Sequence, residues 1–232
     1  VGSLTPSANS LIVMFVNGKT WSKALVFSRT LICGLTGAAV PPVKAFKNSK
    51  NRLSNSLSNN QRITASKNLI NRLSQNFVKL DQKVTIVTDD KDLKIKNTEI
   101  FFTESALNDA LGEAINSISH QANFVIIMHA DLPLVLSTDL TELISLADKN
   151  IPFIVPDRHI SGTNALGLPI KKIDDLFFGK DSFKKFTDYF SNINQELTVI
   201  KNSNIAFDLD TSEDLDLLTL EQRNKLFKDN DN

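Results

Sequence analysis

The run Phe124-Val125-Ile126-Ile127-Met128 restricts the fold more than any other segment, because every side chain in it is apolar and it ends in His129-Ala130-Asp131-Leu132-Pro133. A strand with one wet face alternates apolar and polar residues. An uninterrupted apolar run bounded by turn signals belongs instead to the centre of a parallel sheet covered on both faces. Ile205-Ala206-Phe207-Asp208-Leu209-Asp210-Thr211 reads the same way, so a second buried strand is expected over 205–209. In open α/β sheets the ligand crevice lies just beyond the carboxyl ends of the strands. Asp131, Asp208 and Asp210 are thereby placed where three carboxylates can converge, a hard-oxygen set suited to Mg²⁺. The alternative for each aspartate is a helix cap, since Thr211-Ser212-Glu213-Asp214 is itself a good helix start.

From residue 38 onward the pattern alternates between strand and helix. Strands are expected at 38–43, 84–88, 100–102, 124–128, 153–155, 165–168, 197–200 and 205–209, and helices at 59–77, 106–119, 137–147, 181–190 and 212–218. That alternation predicts a three-layer α/β/α domain with a mostly parallel central sheet. Residues 1–37 differ: Ser-rich and free of acids, with short apolar patches at 11–16 and 31–40. Their composition is closer to an organellar transit peptide than to a secretory signal. They are expected to be a non-core extension ahead of one domain over 38–232, a length that suits a single α/β domain.

Composition narrows the chemistry. The hydrophobic fraction of 41% and charged fraction of 22% are ordinary for a globular chain. No apolar stretch approaches the roughly 20 residues that span a bilayer. One cysteine, Cys33, excludes an intramolecular disulfide and a cysteine zinc cluster, and it makes a cytoplasmic location the default. His120, His129 and His159 lack metal-ligand spacing, and His129 reads as a packed residue within its apolar run. Net charge is zero but uneven: no acid precedes Asp81, whereas eleven Lys and Arg do. A basic segment of this kind can meet a polyanion. The cations are not interleaved with aromatics and no nucleic-acid recognition motif is present, so a small anion such as a nucleoside triphosphate is the better match.

The cations Lys44, Lys47, Lys50 and Arg52 lie between the expected first strand and first helix, the layout in which N–H groups and side-chain charges surround a triphosphate. The loop has no glycine and no Walker A sequence. Two further loops carry polar groups that can present donors to an anionic acceptor. They are Pro156-Asp157-Arg158-His159-Ile160-Ser161-Gly162-Thr163-Asn164 and Phe178-Gly179-Lys180-Asp181-Ser182-Phe183, the latter equally explained as a turn capped by Asp181.

Pro42-Val43-Lys44, Ser49-Lys50-Asn51-Arg52-Leu53, Ala130-Asp131-Leu132-Pro133, Pro156-Asp157-Arg158 with Gly162-Thr163-Asn164-Ala165-Leu166, Phe178-Gly179 with Ser182-Phe183, and Asp208-Leu209-Asp210-Thr211 with Glu213-Asp214-Leu215 occur in that order. With this set, over about 38–218, the chain resembles the phospholactate guanylyltransferase family of deazaflavin coenzyme (F-420) biosynthesis. The resemblance implies a nucleotidyltransferase fold of the glycosyltransferase-A type. It also implies transfer of GMP from GTP onto a phosphorylated three-carbon acid: 2-phospho-L-lactate, phosphoenolpyruvate or 3-phospho-D-glycerate. Carried over by position, Asp131, Asp208 and Asp210 would hold Mg²⁺, and Lys44, Lys50 and Arg52 would bind the triphosphate and serve catalysis. Thr88 and Asn108 would lie near the nucleotide; Thr163, Gly179 and Ser182 would bind the acceptor. The chain departs from the family pattern at Pro41, Ala106, Ile160-Ser161, where Gly-Thr is usual, and Phe186, where histidine is common. The retained hydroxyl of Ser161 tilts the expected acceptor toward the glyceric acid.

An acceptor phosphate oxygen is already anionic, so attack on the α-phosphorus needs no protein nucleophile, and no Ser-His-Asp or Cys-His set is evident. The expected partners are GTP and the phospho acid, without nucleic acid or membrane, and a homodimer is left open. The competing readings are a nucleotidyltransferase acting on a sugar phosphate or molybdopterin, a phosphohydrolase built on Asp208 and Asp210, and a non-catalytic nucleotide-binding module. The first usually needs a glycine-rich loop that 43–53 lacks, and the second expects its aspartate pair after the first strand.

Overall fold

The apolar run at 124–128 lies where its composition requires, in the interior of a sheet. The computed structural model describes residues 53–119, 122–172 and 175–228, and the backbone of 10–15. Its strands are β1 (Ser10–Phe15), β2 (Val84–Thr88), β3 (Glu99–Phe102), β4 (Phe124–His129), β5 (Phe153–Pro156), β6 (Thr163–Pro169) and β7 (Thr198–Val199), in the order β3-β2-β1-β4-β6-β5-β7. Its helices are α1 (Asn59–Val78), α2 (Leu107–Ile118), α3 (Ser137–Asp148), α4 (Ser182–Asn192), α5 (Ser203–Ala206), α6 (Ser212–Leu217) and α7 (Leu220–Phe227). All strand pairs are parallel except those of β6, which runs against both β4 and β5. Every residue of β2 and β4 is buried, so both faces of the sheet are covered and the fold is an α/β sandwich of layers.

The order reverses between β1 and β4. From β1 the chain steps outward through β2 and β3, then returns through α2 to place β4 on the other side. A crevice opens at such a reversal, beyond the carboxyl ends of the strands, and Asp131 follows β4 there.

Local chemistry explains the elements. Ser58 and Gln61 form a reciprocal capping box that starts α1, whose buried Leu69, Ile70, Leu73 and Phe77 recur at helical spacing. Gly167 in β6 faces Phe153 of β5, where an added Cβ would stand 2.2 Å from the ring. Its missing side chain lets Phe153 stack on Phe124, with ring centroids 6.1 Å apart. A smaller apolar cluster joins Leu53, Leu57, Leu69, Leu209, Leu215 and Leu226.

Three sequence readings are revised. Residues 205–209 do not form a strand: Ser203–Ala206 is a single helical turn, followed by chain without regular structure through Asp210. The Asn202 side chain accepts the N–H groups of Asn204 and Ile205 and winds the turn, the Asn164 amide holds the Ile205 carbonyl, and both edges of β6 are already paired with β4 and β5. Asp208 and Asp210 therefore sit on a loop. The central strand β1 comes from Ser10–Phe15, within the stretch expected to be non-core, while the strand expected at 38–43 lies outside the described residues. Finally, α7 was not anticipated; a Thr219/Gln222 capping box starts it, and Asn68 of α1 donates to the carbonyls of Leu226 and Lys228.

Candidate active site

The Leu209 N–H donates to the Asp131 carbonyl at 3.0 Å, so the two acidic segments, distant in sequence, are joined by backbone. Leu209 itself is fully buried in the smaller apolar cluster and anchors that segment, leaving Asp208 and Asp210 half-buried on either side of it. Asp131 is 2% exposed, with His129 Nδ1 3.7 Å from its Oδ1. The loop after Asp131 is held from α1 by Asn76, whose amide donates to the Val135 carbonyl at 3.0 Å.

The capping alternative is decided by who caps. Thr211 and Asp214 form the capping box of α6, and Asp139 accepts the Leu136 N–H at the start of α3. Asp131, Asp208 and Asp210 start no helix. Nor does Asp181 cap α4; it adopts φ +56° with no side-chain cap.

Arg158 organises this region, a role that sequence reasoning did not assign. Its guanidinium pairs with Asp214 and lies over the Phe207 ring, 4.8 Å from the centroid, and its N–H donates to the Ala206 carbonyl at 2.9 Å. The other carboxylate oxygen of Asp214 accepts the N–H groups of Asp210 and Thr211, each at 2.8 Å. Burial alone would raise the Asp214 carboxyl, but Arg158 and these N–H donors outweigh it and hold the group below the usual carboxylate range. Asp157 closes its own loop: its carboxylate accepts N–H from His159, Ser161 and Gly162. A Cβ on Gly162 would stand 2.8 Å from that carboxylate, which accounts for the glycine. The signal for both roles was the Pro156-Asp157-Arg158 motif, but only the folded chain identifies their partners.

Burial, then the neighbouring charge of Asp210, raises the Asp208 carboxyl above its ordinary value; Asp157 adds to this, while a backbone hydrogen bond and Arg158 oppose it. A divalent cation beside Asp208 and Asp210 would relieve that repulsion, and oxygen donors suit a hard ion. Among the described residues no three acidic, histidine or cysteine side chains by themselves form a group that could hold a metal. The convergence of Asp131, Asp208 and Asp210 into one three-carboxylate set, expected from the sequence, is therefore not found: the Leu209–Asp131 bond joins their backbones, while their side chains do not gather around one point.

The residues expected to bind the acceptor converge. Ser182 Oγ donates to Thr163 Oγ1 at 3.1 Å with both residues buried, and the Ser182 N–H reaches the Gly179 carbonyl at 3.2 Å. Gly179 has φ +115°, a conformation that L side chains rarely adopt. The Phe183 N–H donates to the Ser161 carbonyl, tying the Asp157 loop to α4. Of the residues expected near the nucleotide, Thr88 is fully buried and its hydroxyl accepts the Asp90 N–H. Asn108 bonds the backbone of Phe178 instead of facing away from the protein. Lys44, Lys50 and Arg52 lie outside the described residues. A surface cavity of about 390 Å³, lined by Val78, Gln82, Val84 and Thr98 among others, sits at the amino ends of β2 and β3, away from these acids.

A profile for a family described as guanylyl transferase CofC like matches residues 38–229, a span that begins downstream of β1. A 2-phospho-L-lactate guanylyltransferase of Methanobrevibacter smithii is 30% identical over 180 residues, covering 75% of this chain and 80% of that protein. A phosphoenolpyruvate guanylyltransferase of Chloroflexus aggregans is 33% identical over 110 residues, 47% of this chain and 54% of that protein. Among solved structures, a candidate nucleotide-diphospho-sugar transferase from Desulfovibrio desulfuricans G20 superposes with a TM-score of 0.67 at 15% identity, covering 93% of this chain and 88% of that one. That likeness shows a shared α/β nucleotidyltransferase-like fold. Among the described residues no helix is long and apolar enough to cross a membrane.

Proposed function

Because the chain belongs to the CofC-like guanylyl transferase family, we propose that it moves GMP from GTP onto the phosphate of a three-carbon phospho acid and releases pyrophosphate. The family match over residues 38–229 carries this reading. Relatives are named for 2-phospho-L-lactate and for phosphoenolpyruvate; 3-phospho-D-glycerate shares the same carboxylate and phosphate and completes the acceptor set. The product would serve deazaflavin coenzyme biosynthesis.

In this reading Thr163, Gly179 and Ser182 receive the acceptor's carboxylate end, and Lys44, Lys50 and Arg52 bind the triphosphate. Asp208 and Asp210, with Asp131 on the adjoining segment, would hold Mg²⁺ together with the substrate phosphates, and the ion would supply neutralisation of phosphate charge. The protein's own task is orientation: the acceptor oxygen must lie in line with the bond to pyrophosphate, and Arg158 holds the Asp208–Asp210 loop in place while it does so. No side chain need accept a proton, because the attacking oxygen carries none.

Incubation with GTP, Mg²⁺ and each of the three acids separately, with pyrophosphate measured, tests the proposal. Release with at least one acid, and with GTP in preference to ATP, CTP and UTP, is expected. No release with any of them, alongside turnover of a sugar 1-phosphate, would overturn it.

A further inference from the structure

Asn108 carries a role beyond the nucleotide contact that its place in the sequence suggests. It lies in the first turn of α2, and its amide makes a reciprocal pair with one backbone unit 70 residues away. Nδ2 donates to the Phe178 carbonyl at 3.2 Å, and Oδ1 accepts the Phe178 N–H at 3.0 Å. A side-chain amide that satisfies both polar groups of a single residue imitates one rung of a sheet, and it fixes that residue's backbone in position as well as orientation.

Phe178 is held on its other side too. Its ring is buried against Phe186 of α4, with centroids 5.2 Å apart at 69°, and lies 6.3 Å from the ring of His129 at the end of β4. Immediately after Phe178 comes Gly179 at φ +115°, whose carbonyl accepts the Ser182 N–H; Ser182 Oγ then meets Thr163 Oγ1. The residues that form the acceptor end of the site thus hang from Phe178, and α2 reaches them through Asn108.

We infer that Asn108 is a positioning residue for the acceptor: its amide sets the Phe178-Gly179 backbone and through it the Ser182–Thr163 pair, so its loss weakens acceptor binding and leaves GTP binding largely intact. The inference rests on the proposed guanylyl transfer for its kinetic consequence, and on the hydrogen-bond pair alone for its structural one. Asn108→Asp is the informative companion to Asn108→Ala. It keeps the shape and the acceptor for the Phe178 N–H, but sets a carboxylate against the Phe178 carbonyl, and it would repel triphosphate if the residue faced GTP.

Two measurements test this. In amide hydrogen exchange on the full chain without substrates, Asn108→Ala should speed exchange at Phe178 and Ser182 and leave β2 and β4 unchanged. In steady-state assays both variants should raise the KM for the phospho acid by about tenfold or more, the size expected from losing hydrogen bonds of ordinary strength, while the KM for GTP moves less than about threefold. A raised KM for GTP with an unchanged KM for the acid would overturn the assignment. So would unaltered exchange at Phe178. If the parent protein transfers GMP to none of the acids, the proposed function has failed, and the exchange result by itself decides whether Asn108 holds the loop.

Discussion

The peptide N–H of Leu209 bonds the carbonyl of Asp131 at 3.0 Å, and this one contact brings together two acidic segments that are otherwise unrelated in sequence. Leu209 is fully buried and Asp131 is nearly so. The acids flanking Leu209 are therefore carried on a backbone that is fixed at both of its attachments, by the apolar cluster below and by the end of β4 beside it.

Asp131→Asn, and Asp208→Asn combined with Asp210→Asn, should lower kcat at least about a hundredfold, the scale on which single electrostatic contributors to a transition state act. Each change removes charge at nearly constant volume, so thermal melting should show the fold intact. Pyrophosphate release close to the parent's at millimolar Mg²⁺ would remove these residues from the proposed metal site.

Asp214→Asn should destabilise the protein at neutral pH by about 1.5 to 3 kcal/mol, the range for a hydrogen bond to a charged group. The group loses its ion pair with Arg158, and its side chain is 3% exposed, so solvent replaces little. The carboxyl is held below the usual carboxylate range, so the folded state binds fewer protons than the unfolded chain. Its contribution is present above the unfolded value of about 4 and is lost as pH falls through the folded value. Denaturant titrations should show the gap between parent and variant closing on the acid side. A gap that is constant between neutral and acid pH would contradict this account.

Ile160→Gly should raise the melting temperature. Ile160 adopts φ +56°, which costs an L residue about 1 to 2 kcal/mol and is worst for branched side chains. It is 66% exposed, so little burial is lost. The Asp157 carboxylate, which gathers the N–H groups around it, imposes the conformation. A gain of about 2 to 4 °C is expected for a chain of this size; no gain, or a loss, in calorimetry would show that Ile160 makes a stabilising contact the exposure does not reveal.

Gly167→Ala should destabilise by at least about 1 to 3 kcal/mol, the usual cost of overpacking a core, because the new methyl would overlap the Phe153 ring. Gly112→Ala, where nothing lies within 4 Å, is the control and should be neutral or stabilising. Chemical denaturation of the two variants compares them directly, and equal effects would refute the steric explanation.

The sequence alone was sufficient for the α/β class, for the helices α1 to α4 and α6, and for the strands β2 to β7 within a few residues, because periodicity, caps and apolar runs are local properties of the chain. It also nominated Asp131, Asp208 and Asp210 for a metal and, through the family resemblance, Thr163, Gly179 and Ser182 for the acceptor. Only the tertiary structure decided what each of them touches. The stretch 205–209 has the composition of a buried strand, yet Asn202 and Asn164 wind its start and both edges of β6 are already paired, so the acids ride on a loop. Arg158 with Asp214, and Asn108 with Phe178, are partnerships across 56 and 70 residues. Nothing in the local pattern of either member specifies the other, since a hydrogen bond depends on where two groups stand in space and the intervening chain sets that only when the whole sheet has formed.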